Sequence, residues 1–181
     1  SVARQTFRTT GTDPSVIDTF NRRLAAIAEA HTLLMHGVEQ SASLSELVDV
    51  SIKPFDVAKP SRFIVGGPDL VLNSRAALAL SMALHELCTN AVKYGALKAE
   101  TGRVNLTWTI DGTEARPLLY LCWREADGPP VTPPDKAGFG SLMIERILAS
   151  QIEGKVEMRF EESGLVATIR ARLDPPGWMD A

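Results

Sequence analysis

The chain has 181 residues, of which 45% are hydrophobic and 23% charged, so it can bury a core and is not a disordered chain. Its longest apolar runs, such as Ala76–Leu84, are far shorter than the roughly 20 residues that a membrane span needs. Nineteen basic and twenty-two acidic residues give a formal charge of −3, which argues against nucleic acid as the main partner.

The two cysteines, Cys88 and Cys122, are too few and too far apart for a disulfide scaffold or a zinc site. Both lie in apolar runs and are interpreted as buried thiols, which suits a reducing cytoplasm. The chain begins Ser1-Val2-Ala3-Arg4, without an initiator methionine or a signal peptide. We therefore expect a fragment of a longer protein.

The first predicted helix begins near Asp13-Pro14-Ser15 and ends at Gly37. It carries apolar residues at helical spacing on one face, and a single helix cannot bury such a face without a partner helix. The apolar positions are Val16, Ile17, Phe20, Leu24, Ile27, Ala28, Leu34 and Met35.

Two shorter elements and a long helix are predicted next. A helix begins at Ser43-Leu44-Ser45-Glu46 and runs to about Ser51, with Ser43 and Glu46 in the pattern of a capping box. A short strand is predicted at Phe63-Ile64-Val65, before the Gly66-Gly67-Pro68 turn. The long helix is predicted from about Asn73 to Leu97.

Three or four strands follow, with one helix among them. Apolar and polar residues alternate over Val104–Ile110 and Val156–Phe160, whereas Leu118–Trp123 is nearly all apolar. The segment Leu165–Leu173 is the last of the predicted strands. A helix at Leu142–Gln151 precedes the last two strands. This order predicts an α+β fold, a two-layer sandwich with helices on one face of a mixed or antiparallel sheet.

The long helix carries three polar side chains on one face. At about 100° per residue, Glu86, Asn90 and Lys93 fall within an arc of roughly 60°. Asparagine is a poor helix former, so Asn90 indicates a function. The three residues could hold a divalent metal on triphosphate oxygens through Asn90, with Lys93 neutralising charge and Glu86 near the γ-phosphate. The alternative is a solvated helix face on which Glu86 pairs with Lys93.

Two further segments offer groups for a nucleotide. Gly138-Phe139-Gly140-Ser141 directly precedes the predicted helix, and unpaired N–H groups beside glycines at a helix start form an anion site. The alternative is an ordinary turn with Ser141 as the N-cap. In Trp123-Arg124-Glu125-Ala126-Asp127-Gly128, two acids end a strand, and a carboxylate there could accept a hydrogen bond from the amine of adenine or belong to a plain acidic turn.

These segments, in this order and spacing, resemble the nucleotide-binding domain of sensor histidine kinases, and most closely the HWE subfamily. That subfamily is named for a His in the asparagine box and a Trp-x-Glu in the first glycine box, which appear here as His85 and Trp123-Arg124-Glu125. Phe20–Leu34 resembles the second helix of the family's dimerisation hairpin. Matches continue from Gly138 through Ile147 and at Ser163-Gly164-Leu165, so nearly the whole chain is covered.

The resemblance implies three regions. Residues 41–174 would form an ATP-binding domain, a two-layer α/β sandwich of the gyrase–chaperone–histidine kinase ATPase type. Residues 1–40 would form part of the dimerisation and phosphotransfer helical hairpin, and residues 175–181 a C-terminal tail. The resemblance also implies the use of ATP with Mg²⁺.

Individual site residues follow from the same resemblance. Asn90 would ligate Mg²⁺, and Glu86 would act beside the γ-phosphate as a general base or polarising group. Lys93 and Tyr94 would border the phosphates and the nucleotide. Glu125 would take the position that reads adenine, for which Asp127 could compete. A lid would open at Gly128 and close at Gly138, Gly140 and Ser141, while His85 has no assigned role beyond packing or hydrogen bonding.

The phospho-accepting histidine of the family lies in a His-Arg-x-x-Asn motif that this chain lacks. Ala3–Arg8 resembles the segment after that motif, so the acceptor is expected upstream of Ser1. His31 is interpreted as a core or interface histidine, and His36 as a residue that favours the negative end of the helix dipole. The resemblance further implies relay to a response-regulator receiver domain, a possible homodimer through the hairpin and a cytoplasmic location.

Two rival functions are disfavoured by particular residues. A degenerate kinase-derived phosphotransfer or scaffold protein that does not use ATP is expected to lose the asparagine or the lid glycines, yet Asn90, Gly138 and Gly140 are present. A related ATPase or serine kinase that regulates sigma factors would lack a preceding dimerisation hairpin, which Phe20–Leu34 resembles.

Overall fold

The computed structural model describes residues 24, 27–28, 31–32, 35, 41–58, 60–113, 116–131 and 139–174, with residues 139–143 described by their backbone. The six described positions before residue 41 are helical, in agreement with the first predicted helix. The rest of that helix, the tail 175–181 and two predicted features, Gly138 and His36, lie outside the described residues. His31 is exposed in the single chain, so it is not a core histidine, and its interpretation as an interface histidine stays a prediction.

The remaining elements alternate between helices and strands. The first half has β1 (Ala42–Ser43), α1 (Leu44–Ile52), β2 (Phe63–Gly66), β3 (Val71–Leu72) and α2 (Ser74–Lys93). The second half has a short 3₁₀ helix (Ala96–Lys98), β4 (Arg103–Thr113), β5 (Arg116–Ala126), α3 (Phe139–Gln151), β6 (Glu153–Glu161) and β7 (Gly164–Arg172).

Five strands form one mixed sheet in the order β2-β4-β5-β7-β6. Strand β2 runs parallel to β4, and the other neighbours are antiparallel, whereas β1 and β3 pair separately. Helix α2 packs between α1 and α3, and its buried leucines share one core with the inward side chains of the sheet. The predicted α+β sandwich is confirmed. Within the described part of the chain, no helix has both the length and the hydrophobicity of a membrane span.

The long helix ends earlier than predicted, at Lys93 instead of Leu97. The amides of Tyr94 and Gly95 both donate to the carbonyl oxygen of Asn90, which closes the last turn. The next amide, that of Ala96, donates to the side chain of Glu125 on β5 instead of to another helical carbonyl. A contact between residues 29 positions apart therefore ends the helix.

The two predicted helix starts also differ in detail. Helix α3 begins at Phe139, so Gly140 and Ser141 lie in its first turn and Ser141 is not its N-cap. The capping box predicted for α1 is wrong, because the side chain of Ser43 makes no capping hydrogen bond. Ser43 instead pairs with Val71 in the β1–β3 ladder, and the amide of Leu44 donates to the carbonyl of Leu70.

The N-terminus of α2, by contrast, is capped by a side chain. The Oδ1 atom of Asn73 accepts a hydrogen bond of 2.9 Å from the amide of Ala76. We expect Asn73→Ala to lower the free energy of unfolding by about 1 kcal/mol, since one helical N–H loses its acceptor. Ser43→Ala is the matched control in urea denaturation and is expected to change stability by only a few tenths of a kcal/mol. Equal losses in the two variants would contradict the capping role of Asn73.

Candidate active site

The polar face of α2 passes from the buried interior to solvent. Glu86 is only 6% exposed, Asn90 is half-buried and Lys93 is exposed. The opposite face carries Leu84 and Leu87, which are fully buried in the core. A fully solvated helix face, the alternative left open by the sequence, does not describe a buried Glu86. The arrangement presents a carboxylate, an amide and an ammonium in successive turns of one helix.

The side chains at the C-terminal end of α2 are exposed to solvent. Tyr94 is 70% exposed, and Val92 is 42% exposed beside it. The peptide units of Tyr94 and Gly95 are nevertheless fixed, because both amides bond to the carbonyl of Asn90. Lys93 and Tyr94 thus have side chains free to contact a ligand while their backbone is held.

Glu125, near the end of β5, is a buried carboxylate with 1% exposure. Its Oε2 atom accepts the amide of Ala96 at 2.7 Å, and its Oε1 atom accepts the indole N–H of Trp123 at 3.1 Å. Burial raises the pKa of the Glu125 carboxyl, and the two hydrogen bonds act in the opposite direction. Burial, and then the charge of Glu125, raises the pKa of the neighbouring Cys88 thiol.

Asp127, the second acid of this segment, has an exposed side chain and a left-handed backbone with φ of 58°. Its carbonyl accepts a hydrogen bond of 3.0 Å from the hydroxyl of Thr101. Gly128 follows and packs so closely on Ala96 that a Cβ atom there would overlap the Ala96 Cα. The end of β5 therefore lies against the segment that follows α2.

The structure brings most of the predicted site residues to one region. Glu86, Asn90, Lys93 and Tyr94 lie on the C-terminal half of α2 or directly after it, and Glu125, Asp127 and Gly128 adjoin the segment that continues from it. Helix α3, whose first turn holds Gly140 and Ser141, packs on α2. Gly138 lies outside the described residues.

Three other residues contribute in ways that sequence reasoning did not assign. His85 packs edge-on against Phe55, with ring centroids 5.5 Å apart. The Nη1 atom of Arg62 donates to the carbonyls of Leu97 and Ala99, at 3.3 and 2.8 Å. Trp123 donates to Glu125, and the only signal for it in the sequence was that residues two apart on a strand share a face. No local pattern predicts the Arg62 contacts, which span 35 and 37 residues.

The described residues fit a metal that arrives with a phosphate ligand. Among them, no group of three or more His, Cys, Asp and Glu side chains could hold a metal ion by itself. Mg²⁺ commonly keeps several waters and takes one or two protein oxygens together with phosphate oxygens. The amide oxygen of Asn90 is one such protein oxygen, and it lies one helical turn from the carboxylate of Glu86.

Comparison with known proteins adds independent findings. The family model described as HWE histidine kinase matches residues 1–69. The blue-light-activated histidine kinase of Brucella ovis is 34% identical over 175 residues, which are 97% of this chain and 36% of that protein. The namesake from Brucella anthropi is 34% identical over 174 residues, covering 96% of this chain and 35% of that protein. The chain thus spans about a third of the length of these curated relatives.

Solved structures share the fold at low sequence identity. The histidine kinase domain of a blue-light-activated histidine kinase from Erythrobacter litoralis matches with a TM-score of 0.62 and 13% identity, covering 95% of this chain and 82% of that one. The histidine kinase AdeS of Acinetobacter baumannii matches with a TM-score of 0.51 and 14% identity, covering 88% and 79%. These likenesses establish the sandwich as that of histidine kinase domains.

Proposed function

We propose that the chain belongs to the HWE histidine kinase family, whose model matches residues 1–69, and that it forms the ATP-binding region of a two-component sensor histidine kinase. It would bind Mg·ATP and pass the γ-phosphoryl group to a histidine, for relay to an aspartate on a response-regulator receiver domain. The observation that carries the proposal is the polar face of α2, on which a buried Glu86, a half-buried Asn90 and an exposed Lys93 follow one another.

Each residue on this face has a proposed task. The amide oxygen of Asn90 would ligate Mg²⁺, which when bound neutralises charge on the phosphate oxygens. Lys93 would add a cation beside the phosphates, and Tyr94 would border the nucleotide. The first turn of α3, with Gly140 and Ser141, would offer backbone N–H groups to a phosphate oxygen. The lid would begin at Gly128, and Gly138 would lie at its other end.

The chemistry proposed is an in-line displacement at phosphorus. The lone pair of a neutral imidazole nitrogen forms the new P–N bond while the bond from the γ-phosphorus to the β,γ-bridging oxygen breaks, and ADP leaves. An imidazole is already nucleophilic, so positioning contributes most of the rate. The Glu86 carboxylate would accept the proton of the other ring nitrogen, or polarise it by hydrogen bonding.

Adenine would be read by one of two carboxylates. Glu125 would take the adenine-reading position that the family resemblance implies, since each carboxylate oxygen can accept a second hydrogen bond besides the one from Ala96 or Trp123. Asp127 is the exposed alternative. We expect the variant that removes the adenine-reading acid, Glu125→Gln or Asp127→Asn, to lose the preference for ATP over GTP by about tenfold, a cost of about 1.4 kcal/mol. Competition binding of the two nucleotides identifies which one, and an unchanged preference in both variants would exclude both acids.

Residues 1–40 are proposed to form part of a dimerisation hairpin, which would make a homodimer possible. Leu24 and Met35 occupy helical positions with 51% and 67% exposure, and their spacing of 11 residues puts them on one face. An exposed apolar face on a helix is typical of a surface that pairs with another helix. We further propose a cytoplasmic location, as expected for a kinase that meets a receiver domain.

Binding of Mg·ATP by the chain is the test of this function. We expect calorimetry to detect binding of ATP with Mg²⁺, and a thermal-shift assay to show stabilisation of about 2.7 kcal/mol at a ligand concentration 100 times the Kd. Chelation with EDTA should weaken both signals, since the phosphates lose their counter-ion. No heat with Mg·ATP would contradict the proposal and leave a kinase-derived scaffold as the better description.

A further inference from the structure

Residues 94–102 join α2 to β4, and this segment is held in place by the carboxylate of Glu125 on β5. Glu125 accepts the amide of Ala96 through Oε2, and Trp123 donates to the Oε1 of the same carboxylate. Trp123 is fully buried, with its ring edge-on to Phe63 at 6.1 Å between centroids. The indole, the carboxylate and the amide therefore form one buried chain of hydrogen bonds, referred to below as the Trp123–Glu125 pair.

Close packing around Ala96 leaves this segment little room to move. A Cβ atom on Gly95 would overlap Oε2 of Glu125, and one on Gly102 would overlap the carbonyl oxygen of Ala96. Gly128 approaches Ala96 from the end of β5 with the same tightness. Gly95 thus lies against the Glu125 carboxylate, and Gly102 and Gly128 lie against Ala96, so a shift of the carboxylate is expected to displace the segment.

The segment is also held from its other side. The Nη1 atom of Arg62, just before β2, donates to the carbonyls of Leu97 and Ala99. These bonds fix the 3₁₀ helix, whose Lys98 amide donates to the carbonyl of Gly95 at 3.2 Å. The amide of Ala96, in the same peptide unit as that carbonyl, donates to Glu125. The peptide unit between Gly95 and Ala96 is therefore held by the 3₁₀ helix on one side and by Glu125 on the other.

The Trp123–Glu125 pair is linked in this way to the proposed metal ligand. The amide of Gly95, next to Ala96 in the chain, bonds to the carbonyl of Asn90 at 3.0 Å, and the amide of Tyr94 bonds to the same oxygen at 2.8 Å. The path from Trp123 to Asn90 thus runs through Glu125, Ala96 and Gly95, with a hydrogen bond or a peptide link at each step.

We propose that Trp123 is a positioning residue for the nucleotide site, which acts through Glu125 to hold the end of α2 so that Asn90, Lys93 and Tyr94 are presented correctly. The inference rests on the proposed function and deepens it, because it assigns to Trp123 a task in the site that it does not line. A buried carboxylate suits this task, since one rigid group can accept both N–H donors.

The first experiment compares two tryptophan variants. Trp123→Phe removes the indole donor of the pair, whereas Trp108→Phe removes the donor of another buried tryptophan, on β4, whose N–H bonds to the carbonyl of Pro68 at 2.8 Å. We expect both variants to lose about 1–3 kcal/mol of stability. Only Trp123→Phe is expected to weaken Mg·ATP binding, by about tenfold. Equal Kd values for the two folded variants, by calorimetry well below their Tm, would overturn the proposal.

A second pair of variants acts from the opposite side of the contact. Gly95→Ala should push the Glu125 carboxylate away and weaken Mg·ATP binding, although the sequence of β5 is unaltered. A Cβ atom on Gly66, by contrast, meets nothing within 4 Å. Gly66→Ala is therefore the control and is expected to bind as the wild-type chain does. Unchanged binding by Gly95→Ala would count against the proposal.

A spectroscopic measurement separates failure of this proposal from failure of the proposed function. In ¹⁵N-edited NMR of the nucleotide-free chain, the Trp123 indole N–H resonance should shift in Glu125→Gln, and the Trp108 resonance should not. If the wild-type chain binds no nucleotide, the proposed function fails regardless of this result. If the Trp123 resonance is the same in both chains, the Trp123–Glu125 pair is wrong even when nucleotide binds.

Discussion

Asn90→Ala is expected to abolish the tight binding of Mg·ATP while leaving the nucleotide-free chain at least as stable as the wild type. The loss of one metal ligand should cost about 3 kcal/mol of binding free energy, roughly 100-fold in Kd. Alanine is the better helix former by several tenths of a kcal/mol, and the backbone carbonyl of residue 90 still accepts the amides of Tyr94 and Gly95. Stability and binding should therefore change in opposite directions, as expected where a sequence gives up helix stability for a function.

Asn105→Ala is the matched control for this variant. Asn105 is an exposed asparagine on β4, in register with Ile64 on one side and Arg124 on the other, and it has no place in the proposed site. Calorimetry with Mg·ATP should give the wild-type Kd for Asn105→Ala, and urea denaturation should report the stability of both variants. A wild-type Kd for Asn90→Ala would show that Asn90 is not a metal ligand.

The parts of the fold that follow from periodicity were predictable from the sequence. The alternation of β4, the apolar run of β5 and the leucine spacing of α2 are patterns within short stretches of sequence, and each predicted its element. The end of α2 was not predictable in this way. It depends on the contact between Ala96 and Glu125, and nothing in residues 93–97 indicates a partner on a strand formed later in the chain.

The capping box of α1 failed for a related reason. Ser43 and Glu46 have the right spacing, but Ser43 also lies in a strand that pairs with Val71. The amide of Leu44 finds its acceptor in the carbonyl of Leu70, so tertiary pairing replaces the local cap. Asn73 has no such competitor, and it caps α2 through its own side chain.

The residues of the candidate site could be predicted from the sequence, but the burial of their side chains could not. Helical spacing placed Glu86, Asn90 and Lys93 on one face, as the structure has them, but burial of Glu86 depends on neighbours that spacing does not reveal. For Glu125 the sequence indicated a carboxylate at the end of a strand, which could contact adenine or belong to an acidic turn. The structure gives it 1% exposure, because the fully buried Trp123 and the segment after α2 enclose it.

Burial of Glu125 predicts a dependence of stability on pH that opposes the usual effect of a carboxylate. Its pKa in the folded chain is raised above the ordinary value, so the folded state keeps a proton that the unfolded state has released. The contribution of Glu125 to the free energy of unfolding is therefore fully present below the unfolded pKa of about 4.3. It is lost as pH rises through the folded pKa, by at most about 1.4 kcal/mol per pH unit. Cys88, the titratable group that faces Glu125 from α2, stays protonated throughout, because its own pKa is raised.

Glu125→Gln isolates this contribution from that of the other carboxylates. Glutamine has one acceptor oxygen for two donors, Ala96 N–H and Trp123 Nε1–H, so the variant should be less stable than the wild type by about 1–3 kcal/mol at acid pH. As pH rises, the wild-type chain loses stability because Glu125 gives up its proton, whereas the glutamine of the variant does not titrate. The difference in the free energy of unfolding between the two chains should therefore shrink. Urea denaturation from about pH 4 to about pH 8 measures that difference directly. If the free energies of unfolding of the two chains run parallel over this pH range, the Glu125 carboxyl has no raised pKa. If they converge, the chain keeps a buried carboxylate beside the nucleotide site at a cost in stability.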